Sequence, residues 1–366
     1  MAERETNTQR ALPEIRKGQG PGQLDRAEFE RRMRRHFADP VFARDEDALA
    51  RLVADAWDGY ANSRKAPHTR KAGPGFADPD YDISIDWLQA RAAIEAAAAQ
   101  HDDATRPRRI LVICGSPRND MTCPGEMSKT FRLASTARDV IVAAGAECDL
   151  LDLSHLTSEY GRVIYPCKAC VSTAMPLCHW PCSCYPNHAL GQSGDWMNEI
   201  YPRWVAAHGI LIATPVHWLQ VPSALKLMID RLVCADGGNP DPSSTHGKKV
   251  EEAKRLELDG WPYPRHLAGR AFALVVHGDT EGVGAVRKAL VDWLVGMELV
   301  QAGALGVVDR YIGYYAPYAT SHEALDGDAA LFEEVRNAAR SLVREVELMR
   351  EGRGEPDAGL RAPREK

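Results

Sequence analysis

Five cysteines lie within one short stretch of the sequence and form its densest group of reactive side chains. Their spacing is C-x2-C-x7-C-x3-C-x-C, and the residues are Cys167, Cys170, Cys178, Cys182 and Cys184. Four thiolates suit a 4Fe–4S cluster or a zinc ion. Without a metal the thiols would be redox-active or simply buried, so all three alternatives stay open. A bound metal would take Cys167 and Cys170 first, then Cys178 and one of the last two. His179 or His188 could substitute for a thiol.

A loop with hydroxyl and cationic side chains follows the apolar run at 110–114 and leads into a predicted helix. Its candidate residues are Ser116, Arg118, Ser128, Lys129 and Thr130. Backbone N–H groups at a helix N-terminus attract a phosphate, and Ser, Thr and Arg add hydrogen bonds. The sequence contains neither GxxxxGK[ST] nor GxGxxG, which argues against a nucleoside triphosphatase and a Rossmann dinucleotide site. A phosphate site and a simple capped turn are the two interpretations of this loop.

Short apolar runs alternate with helical patterns from residue 107 onward. The runs predict buried parallel strands, at residues 110–114, 147–153, 209–213, 271–276 and 299–308. Periodic patterns predict the intervening and final helices, at residues 126–144, 195–207, 222–232, 283–297 and 323–349. This alternation predicts a doubly wound, five-stranded parallel sheet of the α/β class. Each loop with candidate residues follows a strand, at the sheet edge where such folds bind ligands.

The segment before the sheet is predicted to be mainly helical. Residues 1–22 mix charges with Gly and Pro, and we expect them to be disordered or to need a partner. The following residues show helical periods, separated by a loop at 64–82 that is rich in Pro, Gly and Asp. The predicted helices are 24–37, 45–60 and 84–100.

The chain therefore divides into three predicted parts. These are a helical extension (1–106), an α/β domain (107–320) with an insertion (233–269), and a C-terminal helix with a charged tail (321–366). We expect the insertion to cover the active site or a subunit contact. A smaller insertion, 119–127, lengthens the loop after the first strand and contains Cys123.

Charge and hydropathy argue against several classes of function. The 366 residues carry a formal net charge of −6, which gives no reason to expect nucleic-acid binding. The basic run Arg31–Arg35 lies in a helical pattern among acids and is interpreted as a solvated helix face. No apolar stretch approaches the ~20 residues that a membrane span needs. These features predict a cytoplasmic protein, in which structural disulfides are uncommon.

The longest motif follows the third predicted strand. Residues 214–231 read TPVHWLQVPSALKLMIDR. This segment resembles the NAD(P)H-dependent FMN reductases of the flavodoxin superfamily, which pair a GSPR-type phosphate loop with a TPVYW…P…LK…IDR segment. Both parts occur here in that order, and the resemblance covers residues 108 to about 310. It implies a flavodoxin-like fold, FMN as the cofactor and NAD(P)H as the electron donor.

The resemblance implies a role for each matching position. The five side chains of the phosphate loop would hold the FMN phosphate. The loops against the isoalloxazine ring would contribute Pro215, Val216, His217, Trp218, Leu219, His277, Gly278, Asp279 and Gly282. His217 could donate to the flavin or a substrate, or it could be structural or exposed. Trp218 could form an apolar wall or belong to the ordinary core.

Two main functions follow from these motifs. The resemblance implies an enzyme that passes electrons from NAD(P)H through FMN to a small acceptor: a quinone, free flavin, nitro or azo compound, or metal ion. The cysteines favour an electron carrier that serves a redox protein partner, because similar iron–sulfur flavoproteins bind a 4Fe–4S cluster through a compact cysteine motif at a similar place. A module that has lost its cofactor is the third interpretation. The family also implies a homo-oligomer.

Overall fold

The chain is represented by a computed structural model that describes residues 23–62, 64, 68–118, 127–351, 357–361 and 363–364. The predicted disorder at 1–22 lies outside the described residues, as does the predicted insertion 119–127 with Cys123, except for its last residue. The chain forms two compact units. The cysteine unit comprises Met1–Gln89, Lys168–Asp195 and Asn239–Pro262, and the sheet unit comprises Ala90–Cys167, Trp196–Gly238 and Tyr263–Lys366.

The regular elements follow one another along the chain in this way. The helices are α1 (Arg26–Arg35), α2 (Glu46–Ala61), α3 (Ile85–Asp102), α4 (Lys129–Ala143), α5 (His155–Ser158), α6 (Met197–Ala206), α7 (Ser223–Arg231), α8 (Val250–Leu258), α9 (Val283–Gly296), α10 (Ser321–Asp326) and α11 (Ala329–Glu351). The strands are β1 (Thr69–Lys71), β2 (Asp82–Ser84), β3 (Arg109–Cys114), β4 (Glu147–Asp152), β5 (Gly209–Pro215), β6 (Ala271–Gly278), β7 (Val300–Gln301) and β8 (Val307–Tyr311). No helix in the described part of the chain is long and apolar enough to cross a membrane.

The sheet unit is built on a parallel sheet with the strand order β4-β3-β5-β6-β7. β7 pairs with Ala271 and Phe272 of β6, and β8 pairs with the following residues of the same strand, from Leu274 to Gly278. β7 and β8 therefore share one edge of β6. The second strand of the sheet thus lies outside the first, and the third, fourth and fifth positions follow on the other side, which is the flavodoxin-like order. The predicted flavodoxin-like α/β fold is confirmed.

Both faces of this sheet are buried. Alternate residues of the central strands, such as Ile110 and Leu211, share one core with α4 and α11. The residues between them, such as Ile113 and Ile212, are equally buried, and α6 and α9 contact β3 and β6. Strands buried on both faces read as continuous apolar runs rather than as an alternation. This burial explains why the sequence pattern located the central strands.

The predicted fifth strand, 299–308, is wrong as a single element. It consists of β7 and β8, separated by a short turn. Gly303 adopts a φ of +65°, and a Cβ on Gly306 would lie 2.2 Å from the Ala302 carbonyl oxygen. The backbone therefore forms a turn between Gly303 and Gly306, where the apolar run had predicted one continuous strand.

Two further predictions about elements are corrected. The final helix, 323–349, is interrupted after Asp326, because Asp328 accepts a hydrogen bond from the Leu331 amide at 3.0 Å and begins α11. The predicted loop at 64–82 contains β1, which pairs antiparallel with β2. All three residues of β1 are exposed and polar, so no apolar alternation indicated a strand there.

Aromatic packing and short helical turns characterise the cysteine unit. Phe29 of α1 packs on Trp57 and Tyr60 of α2, with ring centroids 5.5 and 4.9 Å away. The cysteine segment itself forms short 3-10 turns such as Cys170–Ser172 and Met175–Leu177. Side-chain hydrogen bonds rather than a long helix therefore shape this segment.

Candidate functional site

A cavity of about 290 Å³ lies in the sheet unit, where β3, β5 and β6 end. Its wall is formed by Ser116, Arg118, Ser128, Lys129, Thr130, Pro215, Val216, His217, His277, Gly278, Asp279, Ile312 and His322. β3 pairs with β4 on one side and β5 on the other, so the strand order reverses here. Ligands of doubly wound folds bind at such a switch point, outside the carboxyl ends of the strands.

The cationic end of the cavity surrounds the N-terminus of α4. Ser128 caps this helix by accepting a hydrogen bond from the Phe131 amide at 3.4 Å. The Lys129 ammonium donates to Ser321 Oγ at 2.7 Å, and the Arg118 amide donates to Ser116 Oγ at 3.1 Å. Hydroxyls, two cationic side chains and a helix N-terminus form a site that suits a phosphate.

Close backbone packing places this loop. A Cβ on Gly115 would lie 2.9 Å from Leu225 Cδ2 and 3.1 Å from Thr214 Oγ1. The chain that leaves β3 therefore passes directly against β5 and α7, and glycine allows it to do so. The sequence placed a glycine here, but only the packing shows why a side chain is excluded.

A buried histidine connects two loops of the cavity, the third (277–282, after β6) and the first (115–118 and 127–130, after β3). His277 Nε2 lies 2.8 Å from Thr130 Oγ1, and the His277 carbonyl accepts from the Val216 amide at 2.8 Å. Burial lowers the pKa of His277 to about 3, with the Lys129 ammonium adding to the effect. The imidazole is therefore neutral near pH 7, and it orients the Thr130 hydroxyl as a hydrogen-bonding partner without adding charge.

The second loop of the cavity, residues 214–220 after β5, contains a tight turn that is exposed at the surface. His217 and Gln220 exchange two backbone hydrogen bonds, at 2.8 and 2.9 Å. Between them Trp218 and Leu219 have φ values of +47° and +64°, the left-handed pair that a two-residue hairpin turn requires. Trp218 is 96% exposed, so it does not belong to the core. Burial lowers the pKa of His217, and the nearby Asp279 carboxylate opposes this shift.

Close approach also shapes the third loop. The Gly278 carbonyl accepts from the Ile312 amide at 2.7 Å, and a Cβ on Gly278 would lie 3.2 Å from Val216 Cβ. Gly282 has a φ of +108°, and a Cβ there would lie 3.0 Å from Leu219 Cα. The second and third loops therefore fit together through glycines.

The cavity brings together most of the residues that the sequence singled out for flavin. Trp218, Leu219 and Gly282 are not in its wall; they form the neighbouring turn and its support. Two residues of the wall, Ile312 and His322, were missed. Ile312 directly follows β8, so the rule that ligands lie beyond strand ends could have located it. His322 lies in α10, and no signal in the sequence pointed to it.

A second cavity, of about 630 Å³, lies in the cysteine unit and has Cys170 and Cys184 in its wall. The two sulfur atoms are 3.5 Å apart. The Lys248 ammonium lies 3.8 Å from Cys170 Sγ and donates to the Leu177 carbonyl at 2.5 Å. Burial lowers the pKa of Lys248, but the cysteines of this unit raise it more. Those cysteines are Cys170, Cys178, Cys182 and Cys184.

The paired thiols differ in acidity. The hydrogen bond between them lowers the pKa of Cys170 to about 7, opposed by burial and helped by the Lys248 ammonium. The same hydrogen bond raises the pKa of Cys184. His179 is not free to replace a thiol as a ligand, because its ring nitrogens contact Ser183 Oγ at 2.5 Å and Thr245 Oγ1 at 3.0 Å.

The cysteine thiols are the right donor atoms for a metal site, but their arrangement is not that of one. Four cysteine sulfurs are the donor set of a 4Fe–4S cluster, and Cys167, the fifth, belongs to the sheet unit. Among the residues described, however, no group of three or more His, Cys, Asp or Glu side chains is arranged to hold a metal ion. A lysine ammonium instead contacts one of the thiols. This arrangement fits a hydrogen-bonded thiol pair beside a cation better than a set of metal ligands.

The fold and the three-loop cavity are those of the flavodoxin-like class of α/β proteins. Residues 108–311 match the family described as NADPH-dependent FMN reductase, and the chain belongs to this family. By its name, this family uses FMN as the cofactor and NADPH as the electron donor.

Individual proteins that are similar to this chain share only a small part of its sequence. The chain is 30% identical over 125 residues to an iron–sulfur flavoprotein of Methanosarcina thermophila, a match that covers 34% of this chain and 52% of that protein. The chain thus spans about half the length of this curated relative. RosB, solved with bound 8-demethyl-8-formylriboflavin-5'-phosphate, is 14% identical with a TM-score of 0.44, over 67% of this chain and 81% of RosB. An azoreductase from Bacillus anthracis is 13% identical with a TM-score of 0.36, over 63% and 98% of the two chains.

Proposed function

We propose that this protein passes electrons from NAD(P)H through FMN, held in the cavity of the sheet unit, to a small-molecule acceptor. The observation that carries the proposal is the meeting of three loops at the switch point of the sheet. They are the described parts of the first loop (115–118 and 127–130), the second loop (214–220) and the third loop (277–282). The first supplies Ser116 to the cavity, the second Val216 and the third His277. Bound FMN supplies the chemistry, because it accepts a hydride and releases electrons singly or in pairs.

The protein's own residues would bind and orient the cofactor. Arg118 and Lys129 would neutralise the phosphate together with the N-terminus of α4. The backbone from Pro215 to His217 would face the polar edge of the ring. Asp279 lies in the opposite loop of the same wall. Backbone N–H groups orient a flavin and stabilise the charge that it gains on reduction.

The exposed turn supports an aromatic acceptor. Trp218 follows directly after His217, which lines the cavity, and almost its whole side chain is accessible. A flat indole beside the cofactor site offers a stacking surface for a planar molecule. We therefore favour quinones, free flavins and nitro or azo aromatics over a metal ion as acceptors. The cytoplasmic location, the homo-oligomeric state and a redox protein partner stay predictions.

Flavin affinity tests the phosphate end of the site. Arg118→Gln should weaken FMN binding by about tenfold or more, since a charge-assisted hydrogen bond contributes about 1.5–3 kcal/mol. Riboflavin, which lacks the phosphate, should bind both proteins alike. Arg138→Gln, which removes an exposed arginine paired with Asp139, is the matched control and should bind FMN normally. Equal weakening of FMN and riboflavin by Arg118→Gln would contradict the assignment.

Anaerobic reduction tests the electron donor. The FMN-loaded protein should lose its oxidised flavin absorption when NADPH or NADH is added, and a quinone should restore it. If neither nucleotide reduces the flavin while dithionite does, the proposed enzyme activity is wrong.

The second candidate function is an electron carrier with FMN and a 4Fe–4S cluster. The match to an iron–sulfur flavoprotein and the four cysteines of one unit favour it. Iron and acid-labile sulfide in protein purified without oxygen would support this function, at about four of each per chain. Their absence, with FMN bound, would remove it and leave the enzyme.

A further inference from the structure

The cavity of the cysteine unit is large enough for a small molecule and has reactive groups in its wall. Its volume of about 630 Å³ lies within the roughly 300–1,000 Å³ of typical small-molecule sites. Cys170 and Cys184 share this wall with three aromatic residues, Tyr81, Trp87 and Tyr185. A molecule that entered the cavity would therefore meet both thiols.

The cavity also offers positive charge and rigid surfaces. Lys168 and Lys248 line it together with one carboxylate, Asp82, which pairs with Lys71 at 3.0 Å. The Lys168 ammonium lies 4.9 Å from the centre of the Tyr185 ring. The Trp87 indole donates to the Pro181 carbonyl at 2.8 Å. The site thus combines apolar walls with cations, which suits a small molecule that carries carboxylates.

We propose that Cys170 and Cys184 form a redox-active dithiol that reduces a low-molecular-weight disulfide in this cavity. Three observations carry the proposal: the 3.5 Å separation of the two sulfurs, the Lys248 ammonium 3.8 Å from Cys170 Sγ, and the position of both thiols in one cavity wall. It does not rest on the proposed flavin function.

The reaction is a thiol–disulfide exchange in two steps. The Cys170 thiolate attacks one sulfur of the disulfide RSSR, forms a Cys170–SR bond and releases RS⁻. The Cys184 sulfur, losing its proton, then attacks Cys170 Sγ, forms the Cys170–Cys184 bond and releases the second RS⁻. The two protons from the protein thiols complete two RSH, and two electrons pass from the cysteines to the substrate.

The geometry assigns different roles to the two cysteines. Cys170 is the attacking residue, because the neighbouring ammonium stabilises its thiolate. Cys184 resolves the mixed disulfide, since its sulfur needs to approach by only about 1.5 Å to reach bonding distance. Lys248 is a positioning residue that acts through Cys170. A thiol that binds an iron–sulfur cluster cannot take part in thiol–disulfide exchange at the same time. Iron analysis therefore distinguishes the cluster-bound protein from the dithiol protein.

The test uses the full chain, reduced, freed of reductant and mixed with oxidised glutathione. Peptide mass spectrometry should find a Cys170–Cys184 disulfide, and two molecules of reduced glutathione should appear per chain. Cys184→Ser should stop after the first step and accumulate glutathione on Cys170. Cys170→Ser should release no glutathione. Cys148→Ser, which removes a thiol of the sheet unit, should behave as the natural protein.

A lysine variant tests the role of the cation. Lys248→Gln should slow the release of glutathione at pH 7 by about tenfold, whereas Lys248→Arg should restore most of the rate. An unchanged far-UV circular dichroism spectrum and thermal unfolding midpoint show that each variant is still folded. A disulfide that links other cysteines, no reaction with the folded chain, or four irons and four sulfides bound per chain would each overturn the proposal.

Discussion

His277 Nε2 lies 2.8 Å from Thr130 Oγ1. The pair joins the end of β6 to the first turn of α4, across 147 residues of sequence. One hydrogen bond thereby holds together two of the three loops that line the cavity of the sheet unit. Four predictions follow from this contact and from comparable contacts in the sheet unit.

The buried imidazole should make stability depend on pH. Burial holds the pKa of His277 at about 3, so the unfolded chain binds this proton more strongly than the folded protein does. The stabilisation is complete above the unfolded pKa of ~6.5 and falls by about 1.4 kcal/mol per pH unit below it. Urea unfolding at pH 7, 6 and 5 should therefore show a flatter dependence for His277→Gln than for the natural protein. Replacing the exposed His36 should leave the dependence unchanged; equal slopes in all three proteins would refute the assignment.

Removing the Thr130 hydroxyl should leave the histidine without this partner. Thr130→Val keeps the shape of the side chain, and an unsatisfied buried polar group costs about 1–3 kcal/mol of unfolding free energy. FMN affinity should fall as well, because Thr130 lines the cavity. Thr136→Val is the matched control on the same helix, since the Thr136 hydroxyl donates to the Arg132 carbonyl of its own helix at 3.0 Å. A loss of stability as small as that of the control would count against the role of the contact.

The Asp149 carboxylate joins α6 to β4, at the edge of the sheet. Asp149 of β4 accepts from Arg203 Nε at 3.1 Å and from Arg109 Nη2 at 3.0 Å. Burial raises the pKa of Asp149, but these hydrogen bonds lower it more, so the net shift is downward. The stabilisation is present above the unfolded pKa of ~3.9 and disappears as the pH falls below it.

Charge removal at Asp149 measures this contribution. Asp149→Asn should lower the unfolding free energy at pH 7 by about 1–3 kcal/mol, and the difference should shrink at pH 3. Asp139→Asn, which breaks an exposed ion pair with Arg138, should cost less than about 0.5 kcal/mol. A difference that persists at pH 3 would show that the charge is not the cause.

Two nearby glycines should respond to alanine in opposite directions. Gly282→Ala should destabilise the fold by about 1–3 kcal/mol, because φ is +108° and the new Cβ would meet Leu219 Cα at 3.0 Å. Gly284 lies inside α9 with open space around it, so Gly284→Ala should stabilise by up to about 1 kcal/mol. Thermal unfolding of both variants checks the pair. The same sign for both would contradict the described loop geometry.

The sequence located the central strands because their signal is local. A run such as Ile110–Cys114 is buried on both faces, so every residue in it is apolar. Each loop directly follows one of these runs in the sequence, so locating the strand also locates the loop. This is why Ser116, Val216 and Asp279 could be placed together at one sheet edge. The short strand β1 was not predicted, because its residues are polar and exposed.

Only the tertiary structure decided which distant side chains meet. His322 of α10 lines the cavity, and its neighbour Ser321 accepts a hydrogen bond from the Lys129 ammonium, although α10 lies far along the chain from the phosphate loop. Lys248 lies 78 residues from Cys170 in sequence, and no spacing rule connects a lysine to a cysteine segment. The sequence by itself therefore determined the fold class, the family and the edge of the sheet at which we propose the flavin site. The partners of His277 and Cys170 depend on long-range packing, which a local pattern of residue types does not encode.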